Sequence, residues 1–490
     1  MGIVVNQSIK NTIITFIGFA IGAANALFMY THFLGEDYYG LTAFLLSSAN
    51  IMMPLMAFGI QNTLVKFYSE HQSEEEKSRF LNLVLVLPLV IIIPIFLILF
   101  LFYGETAILL SQKNSIIHDY VWIIPVIGLF MGYFEIFYAW VKVHLKSVFG
   151  NFVKEVLLRI FISIFLFAVY FDWISNVQFV YSLVFIYFTM MFLMSLVAFK
   201  VRKPQFHLKF PKKKREVIVY SSFIIFSSSI AVLLLDIDKF MIGQYIPINE
   251  AAYYSVAIFI ALTISVPMRA MHQITHPITT DLMARNKLDD LNDLYKKTSI
   301  TLQVIGGFIM LGILTNIHQV YALLPEKYSG GVVVVFLIAF SKFFDLMLGN
   351  NNSIIFNSKY YRTVLLLGLC LVVLTVTLNM YFIPNFGIEG AAIATFISIG
   401  LYSLAKLLFV VLKLKLFPFT QKTVVSLGII ASTFIVFSFW NFSFHPILNI
   451  ILKSILLSFF YWLLNYKLII SKDINGVINN LFGRIKRKIN

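Results

Sequence analysis

Cysteine is almost missing from this chain: Cys370 stands alone among 490 residues. No internal disulfide and no cysteine-based metal site can form, and Cys370, set in an apolar run, reads as a small buried residue. Charge is scarce too, at 12% of residues against about a quarter in an average soluble domain. Long polar loops are lacking; the longest segment read as an outer loop runs only from Gly104 to Asp119. None could fold into a catalytic domain. There is no G-x-x-x-x-G-K-[ST], so ATP does not drive this chain directly. A Gly-rich dinucleotide motif, zinc-ligand spacing and a nucleophile elbow are also lacking. The expectation is a protein that is not an enzyme and needs no cofactor.

What the chain has is apolar length. It is 59% hydrophobic, with mean hydropathy +0.86. Runs of about 20 apolar residues recur, enough to cross a hydrocarbon core of ~30 Å as helices. The fold class is therefore an all-α integral membrane protein. Spans fall at 10–33, 40–66, 81–103, 119–141, 154–171, 178–199, 217–243, 252–276, 298–322, 331–350, 363–383, 388–412, 423–440 and 447–466, fourteen in all. Lys10 precedes the first run and no A-x-A site follows it, so span 1 reads as retained. Asn6 stands where a myristoylation motif needs Ser or Thr.

The net charge of +15 has a strongly sided placement. With the N-terminus cytoplasmic, 32 Lys and Arg fall on inner segments, two (Lys113 and Lys327) on outer loops, and four (Lys239, Arg269, Lys342, Lys453) inside spans. That asymmetry puts both termini in the cytoplasm. The basic residues, densest at 200–216, are spread over many inner segments, which suits the inner leaflet rather than nucleic acid. The tail 471–490 spaces Ile474, Val477, Ile478, Leu481, Phe482 and Ile485 as one apolar helix face and ends in Arg484, Lys486, Arg487 and Lys488. It reads as a membrane-surface anchor.

The chain also repeats itself. Between spans 1 and 2 it reads FLGEDYYG, and between spans 7 and 8 MIGQYIPINEAAYY. Gly35 matches Gly243, Tyr38–Tyr39 matches Tyr253–Tyr254, and Pro54 matches Pro267 with a slip of two residues. Acid-rich inner loops follow both copies. An offset of six spans gives copies of the same orientation, as in parallel repeats that place a substrate path between halves.

These motifs, with LDIDKFMIG, LLPEKYSGG, NNSIIFNSKYYR and above all FGIEGAAIAT (Phe386–Thr395), resemble the polysaccharide-exporter branch of the multidrug/oligosaccharidyl-lipid/polysaccharide exporter superfamily. The resemblance covers residues 1–412. It implies two six-helix lobes around a central cavity, alternating access, and a flippase for undecaprenyl-pyrophosphate-linked oligosaccharide serving O-antigen, capsule or exopolysaccharide synthesis in the inner membrane. The domains expected are an N-terminal lobe at 1–199, a basic linker at 200–216, a C-terminal lobe at 217–412, two extra spans at 413–466 and the tail at 467–490. Partners would be the lipid-linked oligosaccharide, a sodium or proton coupling ion, and polysaccharide polymerases or glycosyltransferases.

Ionisable residues inside a membrane are costly and mark candidate sites. Arg269, His272 and His276 share one face of span 8 and would meet an anionic head group. The plainer reading is Arg269 snorkelling to the inner head groups, with bonded histidines. Lys66 reads as an inner-surface anchor or a head-group ligand, and Gln61 and Asn62 as sugar donors or packing polars. Glu135, lone among Tyr133, Phe134 and Tyr138, suits sugar contact or a hydrogen-bonded acid. Asp236 and Lys239 can pair, Asp238 points roughly opposite, and Lys342, a further head-group candidate, can pair with Asp345 facing the cavity or as a purely structural pair. Asp236, Asp238 and Asp345 are the carboxylates for ion coupling, the alternative being structural salt bridges. Asn350–Asn352 would cap span 10. Gly390, Ala391, Ala392 and Ala394 form a small-residue packing face.

Two other functions compete. A multidrug exporter of the same fold would take cationic drugs and call for an acidic cavity, but spans 1–3 hold no acid in their apolar cores. A peptidoglycan lipid-precursor flippase would share the anionic cargo. Reporter fusions test the orientation: green fluorescent protein at the C-terminus should fluoresce, and alkaline phosphatase there should stay inactive.

Overall fold

The computed structural model describes residues 2–71, 73–204, 211 and 213–489. Part of the basic linker (205–210 and Lys212) and the side chains of 481–490 lie outside the described residues. Eleven described helices are long and apolar enough to cross a membrane, or twelve when a pair bent by 56°, Lys214–Ile230 and Val232–Tyr245, counts as one. The fourteen spans expected from sequence differ at two places. The stretch 154–171 is helical, as Val153–Leu157 and Leu158–Tyr170, but carries Lys154, Glu155 and Arg159. The eleventh and twelfth spans form one helix, Tyr361–Phe409, interrupted only at Gly387 (φ 58°, ψ −139°). At 1.5 Å per residue that helix is about 74 Å long, more than twice a bilayer core, so Gly387 separates two membrane lengths.

The chain divides into two compact units, residues 1–255 with 383–387, and residues 256–382 with 388–490. Helix Lys214–Tyr245, read from sequence as opening the second copy, groups with the first unit. It packs on helix Glu36–Met56: Phe240 stacks on Phe44 at 5.5 Å, and Gly243 lies flat against the Phe44 ring.

Within unit 1 the turns of the repeat are built alike. Tyr39 stacks on Tyr30 at 4.6 Å, and the hydroxyl of Tyr254 donates to Asp238 Oδ2 at 2.6 Å. In each copy the second tyrosine reaches back to the same place on the span before it. Span 2 breaks after Pro54: helix Glu36–Met56 ends, Phe58 (φ 50°) and Gly59 (φ 64°) turn left-handed, and Ile60–Phe67 resumes. Span 8 breaks likewise. Helix Asn249–Leu262 tightens through Thr263–Ser265 and restarts as Val266–Ala284, with Pro267 in its first turn. A proline lacks the N–H that would continue the ladder, so the matched prolines mark matched interruptions.

In unit 2, helix Leu288–Tyr321 carries the last two spans, Gln421–Ser438 and Pro446–Lys467. Tyr461 donates to the Val304 carbonyl at 2.8 Å and Gln303 to the Thr423 carbonyl at 3.0 Å. Buried Ala391, Ala392 and Ala394 bear out the small-residue face. Cys370 is exposed rather than buried; it shares its face with exposed Leu366, Leu369 and Val373, a surface suited to lipid.

Gly40 tests the close approach in unit 1, because a Cβ there would sit 1.9 Å from the Ile248 carbonyl oxygen. Gly40→Ala should destabilise by about 1–3 kcal/mol through overpacking. Gly104→Ala, which meets nothing within 4 Å, is the control. Thermal unfolding of the detergent-solubilised protein reads both.

Candidate functional site

Each unit carries its own polar cluster inside the apolar helices. In unit 1 it is built on span 5. Val153–Leu157 winds as a π-helix, and so does Asn25–Met29 of span 1. Such turns recur at functional positions because they re-aim side chains. Gly18 and Gly22 let span 1 come against Glu155 and Arg159, with no room for a Cβ. Asn25 Nδ2 donates to the Arg159 carbonyl at 2.9 Å, and Ser163 Oγ donates to Asn25 Oδ1 at 2.7 Å. On this scaffold Arg159 binds the Glu155 carboxylate at 2.8 Å and the Glu155 carbonyl. Lys154 Nζ reaches across to Glu135 Oε1 at 2.5 Å.

Glu135 is therefore not the lone acid expected from sequence. Lys154 and Arg159, counted there as inner-surface charges, are its neighbours within the helices. The aromatic residues around Glu135 have packing partners of their own. Tyr133 donates to the Leu85 carbonyl at 3.0 Å, and Tyr138 lies under the Lys142 ammonium at 3.8 Å. The signal for this cluster was visible: Lys154, Glu155 and Arg159 sit in a run otherwise apolar. Charge sidedness alone absorbed it.

In unit 2 the cluster centres on Asp345. Its carboxylate accepts from Lys406 Nζ at 2.8 Å and from Ser403 at 3.0 Å. Lys406, read from sequence as an inner-surface charge, is almost fully buried; it also reaches Asn352 Oδ1 at 3.2 Å and lies over the Tyr402 ring. A cation from span 12 thus joins Asp345, and Lys342 stays close enough for its charge to act on Asp345 too. His272 is half-buried within reach of the charges of Asp345, Lys406 and His276. Arg269 and His276 are exposed, the latter 3.4 Å from Thr280 Oγ1. Ile274 and Ile278, exposed apolar residues, lie about 140–180° round the helix from Arg269. The cationic stripe and the apolar surface thus leave the helix on opposite sides.

Asn350–Asn352 do not cap a helix with their side chains, because each serves a different helix. Asn350 accepts from Thr275 at 3.2 Å and donates to Thr279, Asn351 donates to the Tyr295 hydroxyl at 2.7 Å, and Asn352 takes Lys406. Gly349 (φ 56°) opens this turn, where a Cβ would meet the Ser299 backbone.

The remaining candidates are scattered through unit 1. Asp236 pairs with Lys239 at 2.8 Å, as expected, and Asp238 faces Tyr254 instead. The Lys66 ammonium lies 3.8 Å over the Tyr220 ring. Asn62 reaches Ser228 at only 3.5 Å, and among the described residues Gln61 Oε1 is buried without a partner.

The family model described as polysaccharide biosynthesis protein matches residues 8–283, more than half of the chain. The chain belongs to that family. It is a multi-pass membrane transporter of the polysaccharide-exporter branch of the multidrug/oligosaccharidyl-lipid/polysaccharide exporter superfamily, not an enzyme. Among solved structures it is similar in fold to the lipid II flippase MurJ in an inward closed conformation (TM-score 0.73, 15% identity, 94% of this chain and 100% of that one). It is similar also to a multidrug resistance MATE family transporter in an outward-facing conformation (TM-score 0.56, 14% identity, 82% and 94%). A superfamily transporter from Pyrococcus furiosus shares the fold as well (TM-score 0.55, 13% identity, 82% and 94%). No match was found among curated protein sequences.

The buried pair of unit 2 can be tested directly. Lys406→Met alone leaves Asp345 with Ser403 and the charge of Lys342 and should cost about 1–3 kcal/mol, whereas Lys406→Met with Asp345→Asn should recover most of it. Thermal unfolding of the single and double variants gives the coupling.

Proposed function

We propose that this transporter flips undecaprenyl-pyrophosphate-linked oligosaccharide across the inner membrane by alternating access, with both termini cytoplasmic, for O-antigen, capsule or exopolysaccharide synthesis. One observation carries the reading: the polar face of Val266–Ala284 sets Arg269, His272 and His276 opposite that helix's apolar surface. A cationic stripe within a membrane helix is expensive unless it meets protein, water or an anion. A pyrophosphate head group is such an anion, and Arg can hold it bidentately. Behind the stripe, Lys406 and Lys342 outnumber the one carboxylate of Asp345, which keeps that region cationic. Lys66, Gln61 and Asn62 would supply further contacts to head group or sugar, and Glu135 is a candidate for sugar contact elsewhere in unit 1.

Asp236, Asp238 and Asp345 remain the carboxylates for a sodium or proton coupling step, each now with a named donor to compete against. Polymerases and glycosyltransferases would act on either side of the transported unit. A peptidoglycan-precursor flippase is the second reading, favoured by the fold shared with the lipid II flippase. A multidrug exporter fits less well, since a cationic drug would meet like charge at Arg269.

Arg269→Ala should abolish surface polysaccharide while membrane levels of the protein stay normal. Full surface polysaccharide in that variant would remove Arg269 from the mechanism.

A further inference from the structure

The span 5 cluster of unit 1 lies beside a cavity of 270 Å³, lined among others by Asn50, Glu135, Lys154, Glu155, Arg159 and Tyr187. A structural ion pair has no use for such a space. One water needs only about 10–15 Å³ of it. Its two ion pairs set two cations against two carboxylates, with Lys142 a further cation near Glu135. The lysine is the accessible partner of its pair: the Lys154 side chain is 46% exposed and that of Glu135 is 14%. The backbone of Arg159 is pinned by Asn25, whose amide donates to its carbonyl at 2.9 Å while Ser163 holds the oxygen of that amide at 2.7 Å. The guanidinium is therefore aimed by a fixed stretch of helix, although its own anion is a side chain that can turn away.

We propose that Lys154 and Arg159 form a phosphate-binding subsite for a diphosphate head group, in which Glu135 and Glu155 are built-in counter-ions that the ligand displaces. This rests on the reading above that the cargo is a lipid-linked diphosphate. The exchange is chemically even. A diphosphate brings at least two negative charges and several oxygens, enough to take a point charge from Lys154 and a bidentate grip from Arg159. Asn50 and Tyr187 offer neutral donors in the same cavity. Glu135, once released, keeps the nearby charge of Lys142. Resident carboxylates leave no bare cation in the membrane while the site waits, which is the condition for keeping two cations there at all.

The same chemistry could be met by the head of a bilayer phospholipid, so the test has two arms. Inorganic pyrophosphate and farnesyl diphosphate are titrated against the purified full-length protein in phosphatidylcholine nanodiscs, then in discs containing phosphatidylglycerol. Glu135→Gln frees Lys154 and should tighten both probes by about tenfold. Lys154→Gln and Arg159→Gln should weaken both by about tenfold or more, the range set by losing one charged hydrogen bond. Opposite signs for the two partners of one pair are what a purely structural bridge cannot give. Retained tight binding in the phosphatidylglycerol discs assigns the subsite to the diphosphate; competition by that lipid assigns it to phospholipid head groups and overturns the cargo role.

The proposal also falls if Glu135→Gln weakens binding as Lys154→Gln does, or if all three variants bind as the wild type does. Should Lys154→Gln not fold, the sign of the Glu135→Gln effect decides alone. If the wild type binds and only Arg269→Ala loses binding, the flippase reading stands and the unit 1 subsite does not. If the wild type binds neither probe the subsite is refuted, and surface polysaccharide in the Arg269→Ala strain still decides the flippase reading by itself.

Discussion

An ionised side chain within a bilayer must find a partner of opposite charge, water, or a ligand, and this constraint organises the polar interior of the protein. Glu135 finds Lys154, Glu155 finds Arg159, Asp236 finds Lys239, and Asp345 finds Lys406. The two bridges between helices, Glu135–Lys154 and Asp345–Lys406, fix helix rotation, since a turn by one residue would carry a charge about 100° away from its partner. Apolar packing alone is tolerant of rotation between helices of Leu, Ile and Phe. The bridges supply the orientation that lipid cannot.

Two of these acids occupy equivalent places in the chain. Glu135 is in span 4 and Asp345 in span 10, the six-span offset seen in the repeat. Their cations are not equivalent: Lys154 comes from the next span, Lys406 from the second one on. Unit 1 then sets Glu135 of span 4 and Glu155 of span 5 against Lys154 and Arg159, with Lys142 near Glu135, while unit 2 keeps Arg269 and two histidines beyond the pair. The repeat supplies a common frame, and the two units fill it with different counter-ions.

Much of this was legible in the sequence because hydropathy acts locally. The long apolar runs gave helices, and Pro54 and Pro267 were matched as marks of the repeat, though not as the interruptions they accompany in spans 2 and 8. Asp236 and Lys239 are three residues apart, so their pairing followed from helix geometry. The partners of Glu135 and Asp345 were not legible, because nothing in a single chain says which face of one helix meets another. Lys154, Arg159 and Lys406 were assigned by sidedness, a rule for loops, and so were missed as residues of the interior. The division at Gly387 was legible: Pro384, Asn385 and Gly387 lie between the expected spans 363–383 and 388–412, and the positive φ of Gly387 interrupts the long helix there.

The three consecutive asparagines after Gly349 behave as a keyed joint. Neighbouring residues on a helical turn project about 100° apart, so Asn350, Asn351 and Asn352 engage spans 8, 9 and 12 from one short segment. Slipping that segment by a single residue would disengage all three contacts together. Helices 8, 9 and 12 are therefore bound to shift as one body or not at all, and any movement inside unit 2 has to take place around this joint, not through it.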